Sequence, residues 1–224
     1  MKQGFVKVAS ATPRIRVADP VYNAQVICEQ AKEAAEHGAK IVVFPELCIT
    51  GYTCNDLFLQ ELLLEKAKEA LLTIAEETGQ LETLFLVGLP VDKDGRLYNV
   101  AAVLYRGRIL GMIPKKNIPM YAEFYEGRHF TPGEETVTEY RLGKQVIPFG
   151  SNLLFRCEEL PELILGCELC EDLWVAEPPS TSHALMGATV IANLSASNET
   201  VSKDDYRTLL IKASSARLLC GYIY

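Results

Sequence analysis

The chain has 224 residues, a formal net charge of −7 and an apolar fraction of 49%. That length suits one large domain or two small ones, and the negative charge argues against nucleic acid or an anionic membrane as the main partner. No run reaches the roughly 18 apolar residues of a transmembrane helix, and the amino terminus lacks the pattern of a signal peptide. Seven cysteines at irregular spacings favour reduced thiols and a cytoplasmic location over a disulfide framework.

The first part of the chain alternates strand-like and helix-like patterns. Residues 5–9 (FVKVA) predict a strand. Asp19-Pro20 supplies an N-cap and a first-turn proline for a helix over residues 21–36, which Gly38 ends. Residues 41–44 (IVVF) predict a short strand that is buried on both faces.

The middle of the chain predicts a long helix and then a set of hairpins. Asp56 is expected to cap a helix from Leu57 to about Thr78. Three strands follow, over residues 84–89, 100–105 and 109–113. Their short turns indicate antiparallel or mixed pairing. Residues 114–133 have no clean period and are rich in Tyr, Phe, Glu and Pro, which is typical of an ordered loop that lines a site.

The last part of the chain repeats short apolar runs between turns. Strands are predicted over residues 146–149, 153–155, 163–169, 189–194 and 222–224, and helices over residues 182–186 and 205–219. This order predicts one α/β domain over residues 1–224, with two layers of sheet covered by helices. We expect the domain to be incomplete at its carboxyl-terminal end, because the last strand starts where the chain stops.

Three ionisable residues directly follow apolar runs: Glu46, Lys115 and Cys170. In a sheet of neighbouring strands, such residues can converge at one edge. Cys170 would attack a carbonyl carbon after Glu46 removes its proton, and Lys115 would stabilise the oxyanion. Glu46 would then protonate the leaving amine and activate the water that hydrolyses the thioester. This mechanism needs no histidine, which suits a chain that has only three.

Each of these residues also has a plain structural explanation. A Pro-Glu pair at a strand end is typical of a solvated turn, and a lone lysine is typical of the surface. A cysteine in an apolar strand is typically a core residue. Cys167 is expected to be such a core residue. The spacing of Cys167 and Cys170 would also suit a metal site, but no second CxxC pair and no histidines at ligand spacing support one. A redox pair is equally disfavoured, because that motif normally opens a helix.

Four ordered segments carry a resemblance to a known family: VVFPELCITGY, PKKNIPMYAEFYEGRHF, GCELCEDLW and VIANLSASNE. Together they resemble the nitrilase, or carbon–nitrogen hydrolase, superfamily, and most closely its glutamine-hydrolysing branch at the amino terminus of glutamine-dependent NAD⁺ synthetases. The resemblance implies an αββα sandwich with two mixed sheets. It also implies a Glu-Lys-Cys triad of Glu46, Lys115 and Cys170, with Lys115 chosen over Lys116 and Glu126 in a supporting role.

The same resemblance implies a glutamine pocket lined by Tyr121, Glu171 and Ser197. A carboxylate beside the nucleophile can bind the ammonium group of a free amino acid, which agrees with the place of Glu171. Stand-alone amidases of the superfamily generally carry an aromatic residue there instead. Ser197 as a loop-capping hydroxyl and Tyr121 as a loop aromatic packed on the core remain open alternatives.

What the resemblance implies for function is glutamine hydrolysis that supplies ammonia for ATP-dependent amidation of nicotinic acid adenine dinucleotide to NAD⁺. The chain carries no Ser-Gly-Gly-x-Asp-Ser phosphate loop, so the synthetase domain, with its ATP and Mg²⁺, is expected elsewhere on the same polypeptide. No cofactor or metal is expected in the present domain, and a homo-oligomer is expected. The alternatives are a stand-alone amidase for another small amide and a binding module whose thiol is incidental.

Overall fold

The computed structural model describes residues 4–224 and arranges them in two β-sheets with helices on their outer faces. The strands are β1 (Val8–Ser10), β2 (Ile41–Val43), β3 (Leu84–Lys93), β4 (Arg96–Tyr105), β5 (Arg108–Pro114), β6 (Thr138–Leu142), β7 (Gln145–Phe149), β8 (Leu154–Arg156), β9 (Ile164–Leu169), β10 (Val190–Leu194) and β11 (Gly221–Ile223). The α-helices are α1 (Pro20–Glu36), α2 (Glu61–Glu77), α3 (Pro179–Leu185) and α4 (Lys203–Leu218).

The larger sheet is mixed and has the strand order β1-β2-β3-β4-β5-β7-β6. Its first three strands are parallel, whereas β3, β4 and β5 form an antiparallel meander. The smaller sheet has the order β11-β10-β9-β8, with β9, β10 and β11 parallel and β8 antiparallel. The expectation of two mixed sheets is therefore confirmed.

Side-chain alternation along β2 shows how the layers are made. Ile41 and Val43 point into the core between the two sheets, where they meet Leu165 and Leu169 of β9. Val42 points the other way, into the core under α1 and α2. Because both faces of the central strands are covered, their sequences are apolar throughout rather than alternating. The result is the α/β sandwich of four layers that the resemblance implies.

The first helix begins as its sequence indicates. Asp19 caps it by accepting a hydrogen bond of 3.1 Å from the backbone N–H of Tyr22, and Pro20 occupies the first turn. The chain leaves the helix through Gly38, whose φ of +82° is in the left-handed region that favours glycine.

The prediction that Asp56 caps the second helix is wrong. A 3₁₀ segment, Tyr52–Leu59, precedes α2, and Asn55 inside it has φ +50° and ψ −132°, which breaks helical continuity. The carboxylate of Asp56 instead binds Arg128 at 2.8 and 3.0 Å and His129 at 3.1 Å. A capping residue is recognised from local sequence alone, whereas these partners lie more than 70 residues away, which explains the error.

Two strand predictions need correction. The first strand starts at Val8 rather than Phe5, and Phe5 is 80% exposed. The strand β6 was not predicted, because only two of its five residues, Tyr140 and Leu142, are apolar and buried, and an alternation this short gives little signal. It forms an edge of the larger sheet by pairing with β7.

The last helix leaves part of its apolar surface uncovered. Leu209 is 63% exposed and Leu219, just after the helix, is 89% exposed, whereas Leu210 and Leu218 are partly buried. Among residues 4–224, no helix is long and apolar enough to cross a membrane.

Candidate active site

The three residues that follow apolar strands in the sequence are brought together at one end of the sandwich. Glu46 follows β2, Lys115 follows β5, and Cys170 follows β9. Glu46 is 2% exposed, Lys115 is fully buried, and Cys170 is 6% exposed. A lysine with no exposed surface is unusual unless it is paired, so its partners decide what it does.

Lys115 lies between two carboxylates. Its Nζ atom donates hydrogen bonds of 2.6 Å to Glu46 Oε1 and 2.6 Å to Glu126 Oε1. Asn99 donates from Nδ2 to both acids, at 2.8 Å to Glu46 and 3.2 Å to Glu126. The hydroxyl of Tyr52 donates a further 2.8 Å bond to Glu126 Oε1. The network fixes the lysine and both carboxylates in a space that excludes solvent.

The second oxygen of Glu46 is not used by Lys115 or Asn99, which both donate to Oε1. Glu46 Oε2 accepts a 3.2 Å hydrogen bond from the backbone N–H of Ala196, the residue after Ser195, whose hydroxyl contacts the Cys170 thiol. Because Lys115 and Asn99 occupy Oε1, Oε2 is the oxygen available to receive a proton from the sulfur.

Cys170 sits on a strained turn between β9 and the 3₁₀ segment Cys170–Leu173. Its φ is +39°, which is unusual for a residue other than glycine. Its backbone N–H donates a 2.9 Å hydrogen bond to Asn193 Oδ1, and Ser195 Oγ donates to its Sγ at 3.3 Å. Ser195 is held in turn by the hydroxyl of Tyr224 at 2.7 Å. The thiol is therefore oriented from both the backbone and the side-chain side.

The electrostatics of the site favour a neutral thiol at rest. Burial and the negative charge of Glu46 raise the pKa of Cys170 to about 12, while Lys115 opposes this shift. Burial alone would lower the pKa of Lys115, but the charges of Glu46 and Glu126 outweigh it, and the net shift is upward. Burial and the neighbouring Glu46 raise the pKa of Glu126. The nucleophile thus needs a base during attack, because it is not stored as a thiolate.

The residues predicted to line a substrate pocket fall into two groups. Tyr121 donates a 2.8 Å hydrogen bond from its hydroxyl to Glu171 Oε2, and its side chain is 53% exposed. Glu171 directly follows the nucleophile, so this pair stands at the open side of the site. Ser197 lies in the loop after β10, and among the described residues no hydrogen bond joins it to Tyr121 or Glu171. It stands two residues after Ser195, which contacts the thiol.

Several polar residues of the site were missed at the sequence level. They are Tyr52, Asn99, Asn193, Ser195 and Tyr224. Asn99 and Asn193 left a usable signal, since each interrupts an otherwise apolar strand and is buried at 0% and 1% exposure. A buried amide in such a strand needs hydrogen-bond partners and is a candidate for a site residue. The other three stand in loops or at the chain end and carry no comparable signal.

The sequence neighbours of two candidate site residues have different surroundings from the candidates themselves. Cys167 is fully buried between the sheets, as expected for a core residue. Lys116, the neighbour of Lys115, forms an exposed 2.5 Å ion pair with Glu135 and takes no part in the buried network. Within residues 4–224, no group of three or more His, Cys, Asp or Glu side chains is arranged to hold a metal ion.

This arrangement is suited to acyl transfer. A thiol with an adjacent carboxylate can attack a carbonyl carbon, and a buried ammonium group beside them can stabilise negative charge. The sequence profile of the carbon–nitrogen hydrolase family matches residues 7–220. The chain belongs to the carbon–nitrogen hydrolase family. The buried Glu-Lys-Cys cluster lies within the residues that the profile of this family matches.

The relatives of this carbon–nitrogen hydrolase include longer enzymes. It is 41% identical over 223 residues to proteins of Mycobacterium bovis and Mycobacterium tuberculosis named glutamine-dependent NAD(+) synthetase, covering 100% of this chain and 33% of theirs. A protein of the same name from Thermotoga maritima is 34% identical, with 99% of this chain and 35% of that protein covered. The chain therefore spans about a third of the length of the curated relatives it matches.

Solved structures support the same fold. A glutamine-dependent NAD(+) synthetase from Cytophaga hutchinsonii superposes with a TM-score of 0.87 at 29% identity, covering 97% of this chain and 35% of that one. An amidase from Nesterenkonia sp. superposes with a TM-score of 0.73 at 20% identity, covering 97% of this chain and 75% of that one. The second likeness concerns the fold alone.

Proposed function

We propose that this carbon–nitrogen hydrolase cleaves the side-chain amide of glutamine through a thioester on Cys170. The observation that carries the proposal is the Glu171–Tyr121 pair beside the buried cluster of Glu46, Lys115 and Cys170. A carboxylate next to the nucleophile suits a substrate that carries an ammonium group. The names of the relatives with 41% identity support glutamine as that substrate.

The reaction needs only the residues of the cluster and one water molecule. Glu46 Oε2 takes the proton of the Cys170 thiol as the sulfur attacks the amide carbon. Lys115 stabilises the negative charge that develops on the amide oxygen. Glu46 then gives its proton to the leaving nitrogen, so that the C–N bond breaks, ammonia departs and a thioester remains.

The second half of the reaction reuses the same base. A water molecule takes the place of ammonia beside Glu46. Glu46 removes a proton from this water as the water oxygen attacks the thioester carbonyl. Collapse of the second tetrahedral intermediate breaks the C–S bond, returns the proton to sulfur and releases glutamate. The raised pKa of Cys170 favours this return, because the neutral thiol is the stable form in the buried site.

The relatives suggest where the ammonia goes. We infer that a synthetase domain on the same polypeptide uses it, with ATP and Mg²⁺, to amidate nicotinic acid adenine dinucleotide to NAD⁺. The support is that the curated relatives are about three times as long as this chain and are named for NAD⁺ synthesis. Assembly of several copies and action in the cytoplasm belong to the same proposal.

The test combines turnover with covalent labelling. The protein is incubated with L-glutamine, and the release of glutamate is compared with the hydrolysis of simple amides such as butyramide. In parallel, it is treated with a diazoketone analogue of glutamine, and the labelled peptide is identified by mass spectrometry. We expect glutamine to be strongly preferred and the label to be on Cys170.

The same experiment has outcomes that would overturn the proposal. Equal hydrolysis of butyramide and glutamine would favour the stand-alone amidase. Labelling at Cys48 or Cys54 would show that Cys170 is not the nucleophile. We expect no label there, because both thiols are buried and burial raises the pKa of each. A protein that neither turns over glutamine nor reacts with its analogue would favour the binding module.

A further inference from the structure

A second buried polar network lies behind the nucleophile, on the outer face of the smaller sheet. Glu168 of β9 and Asn193 of β10 are register partners, and both are 1% exposed. Their sequence neighbours Cys167 and Leu194 point into the core between the sheets, so alternation sends Glu168 and Asn193 the other way. A buried carboxyl and a buried amide on one face are costly unless hydrogen bonds compensate them.

The hydrogen bonds of this network run in one direction. Glu168 Oε2 accepts a 2.8 Å bond from the Ser180 N–H, and Glu168 Oε1 accepts from the hydroxyl of Tyr222. With its proton directed to Glu168, the Tyr222 oxygen can only accept from Asn193, whose Nδ2 lies 3.3 Å away. The Asn193 amide is thereby oriented with Oδ1 towards the N–H of Cys170, at 2.9 Å.

The position held by this contact is a strained one. Cys170 has φ +39°, and such conformations persist only where the surroundings enforce them. The backbone N–H of Leu169, the residue before Cys170, donates a 3.0 Å hydrogen bond to Asp172 Oδ2. The other carboxylate oxygen of Asp172 accepts hydrogen bonds from the backbone and side-chain N–H groups of Asn117. Asp172 therefore fixes the peptide before the nucleophile, and Asn193 fixes the N–H of the nucleophile itself.

We propose that Asn193 is a positioning residue for the Cys170 nucleophile and that Glu168 orients it through the hydroxyl of Tyr222. The inference rests on the proposed function only in taking Cys170 as the nucleophile. None of the three residues touches the thiol. Their effect is to hold the backbone so that the sulfur stays beside Glu46 and Lys115, where a small displacement is costly for reaction.

The test measures reactivity separately from binding, with variants made in the polypeptide as it is naturally expressed. Tyr222→Phe removes the hydroxyl and keeps the ring, and Asn193→Ala removes the contact with Cys170. Tyr140→Phe is the matched control, since Tyr140 is a buried tyrosine of β6 at the far edge of the other sheet. Inactivation by the diazoketone analogue gives a maximal rate and a half-saturating concentration for each variant.

We expect the maximal rate to fall about 100-fold in Asn193→Ala and about tenfold in Tyr222→Phe. The half-saturating concentration should change less than about threefold. The double variant should be no slower than Asn193→Ala, because both residues act through one contact. Tyr140→Phe should react at the wild-type rate.

Several outcomes would overturn the inference. Wild-type rates in Tyr222→Phe and Asn193→Ala would do so, as would multiplicative losses in the double variant. If Tyr140→Phe lost as much of its inactivation rate as the other variants, and each loss followed a lowered unfolding temperature, the cause would be a general packing effect instead. Iodoacetamide, which needs no glutamine pocket, is used alongside. If it shows the same order of rates while the glutamine analogue fails on the wild type, the glutamine proposal fails and the positioning role stands.

Discussion

Lys115 Nζ donates a 2.6 Å hydrogen bond to Glu46 Oε1, and neither side chain has any exposed surface. A buried pair of this kind gains little net stability from its charges, because desolvation offsets most of their attraction. Its retention in a core points to chemistry rather than to stability. Lys115 Nζ also lies 2.6 Å from Glu126 Oε1, so one ammonium group is paired with two carboxylates.

The first prediction concerns Lys115 and its neighbour. Lys115→Met should lower glutamine turnover at least about 10²-fold, since it removes the group that stabilises the oxyanion. It should also cost roughly 3–5 kcal/mol of unfolding free energy, because it leaves Glu46 and Glu126 buried without a cation. Turnover assays and urea unfolding measure the two effects. Lys116→Met, which breaks only an exposed pair with Glu135, should change neither. The reverse pattern would place the catalytic lysine at position 116.

The second prediction concerns the two cysteines of the CELC segment. Cys170→Ala should abolish both turnover and labelling by the glutamine analogue, because the thioester cannot form without its sulfur. Cys167→Ala should keep full labelling and lose about 1 kcal/mol of stability, since it leaves a small void between the sheets. Mass spectrometry of the labelled peptide and urea unfolding report the two results. Persistent labelling of Cys170→Ala would assign the nucleophile elsewhere.

The third prediction separates a general base from an ion pair. Glu46 raises the pKa of Cys170, so Glu46→Gln should lower that pKa from about 12 and increase the thiolate fraction at a given pH. Alkylation of Cys170 by iodoacetamide at pH 9 should therefore become faster. Glutamine turnover should nevertheless fall at least about 10²-fold, because no group remains to carry the proton. If alkylation and turnover fell together, Glu46 would be a thiolate-stabilising or structural residue instead.

How much of the molecule the sequence predicts depends on the range of the interactions. The apolar strand at residues 41–44 and the helix capped by Asp19 were predicted because their signals are local. Asp56 was misassigned because its partners, Arg128 and His129, come from a distant loop. Strand ends predicted that Glu46, Lys115 and Cys170 converge at one edge of a sheet. The structure does bring them together, but from two sheets: Glu46 and Lys115 follow strands of the larger sheet, and Cys170 follows a strand of the smaller one.

The remaining parts of the site were beyond a local reading. The interruption of an apolar strand marks Asn99 as a candidate site residue, but nothing in its segment indicates its partners, Glu46 and Glu126, which lie 53 and 27 residues away. The amide of Asn193 depends on Tyr222, whose position follows from the pairing of β10 and β11. Such contacts arise from the register between strands, which the apolar pattern of one strand does not determine.

The fourth prediction tests recognition of the substrate. Glu171→Gln should raise the KM for glutamine about 10- to 100-fold with a smaller change in kcat, because it removes a charge-assisted contact with the ammonium group. Tyr121→Phe should raise KM less, since its hydroxyl only holds Glu171 at 2.8 Å. Glu123→Gln, an exposed acid on the same loop as Tyr121, is the control and should leave KM unchanged. An unchanged KM in Glu171→Gln would show that the Glu171 carboxylate does not bind the ammonium group of the substrate.

The last prediction concerns the buried carboxyl of Glu168. Burial raises its pKa from 4.5 to about 7, even though Tyr222 and the Ser180 N–H oppose the shift. The folded protein therefore keeps this proton to a higher pH than the unfolded chain does. Stability should fall as pH rises from about 4.5 to about 7, by roughly 3 kcal/mol for this group. Glu168→Gln cannot ionise, so its unfolding free energy relative to wild type should rise by most of that amount between pH 5 and pH 8, as measured by urea unfolding. Glu162→Gln, an exposed acid of the same segment, is the control. Parallel stability profiles for wild type and Glu168→Gln would show that the Glu168 carboxyl titrates alike in both states.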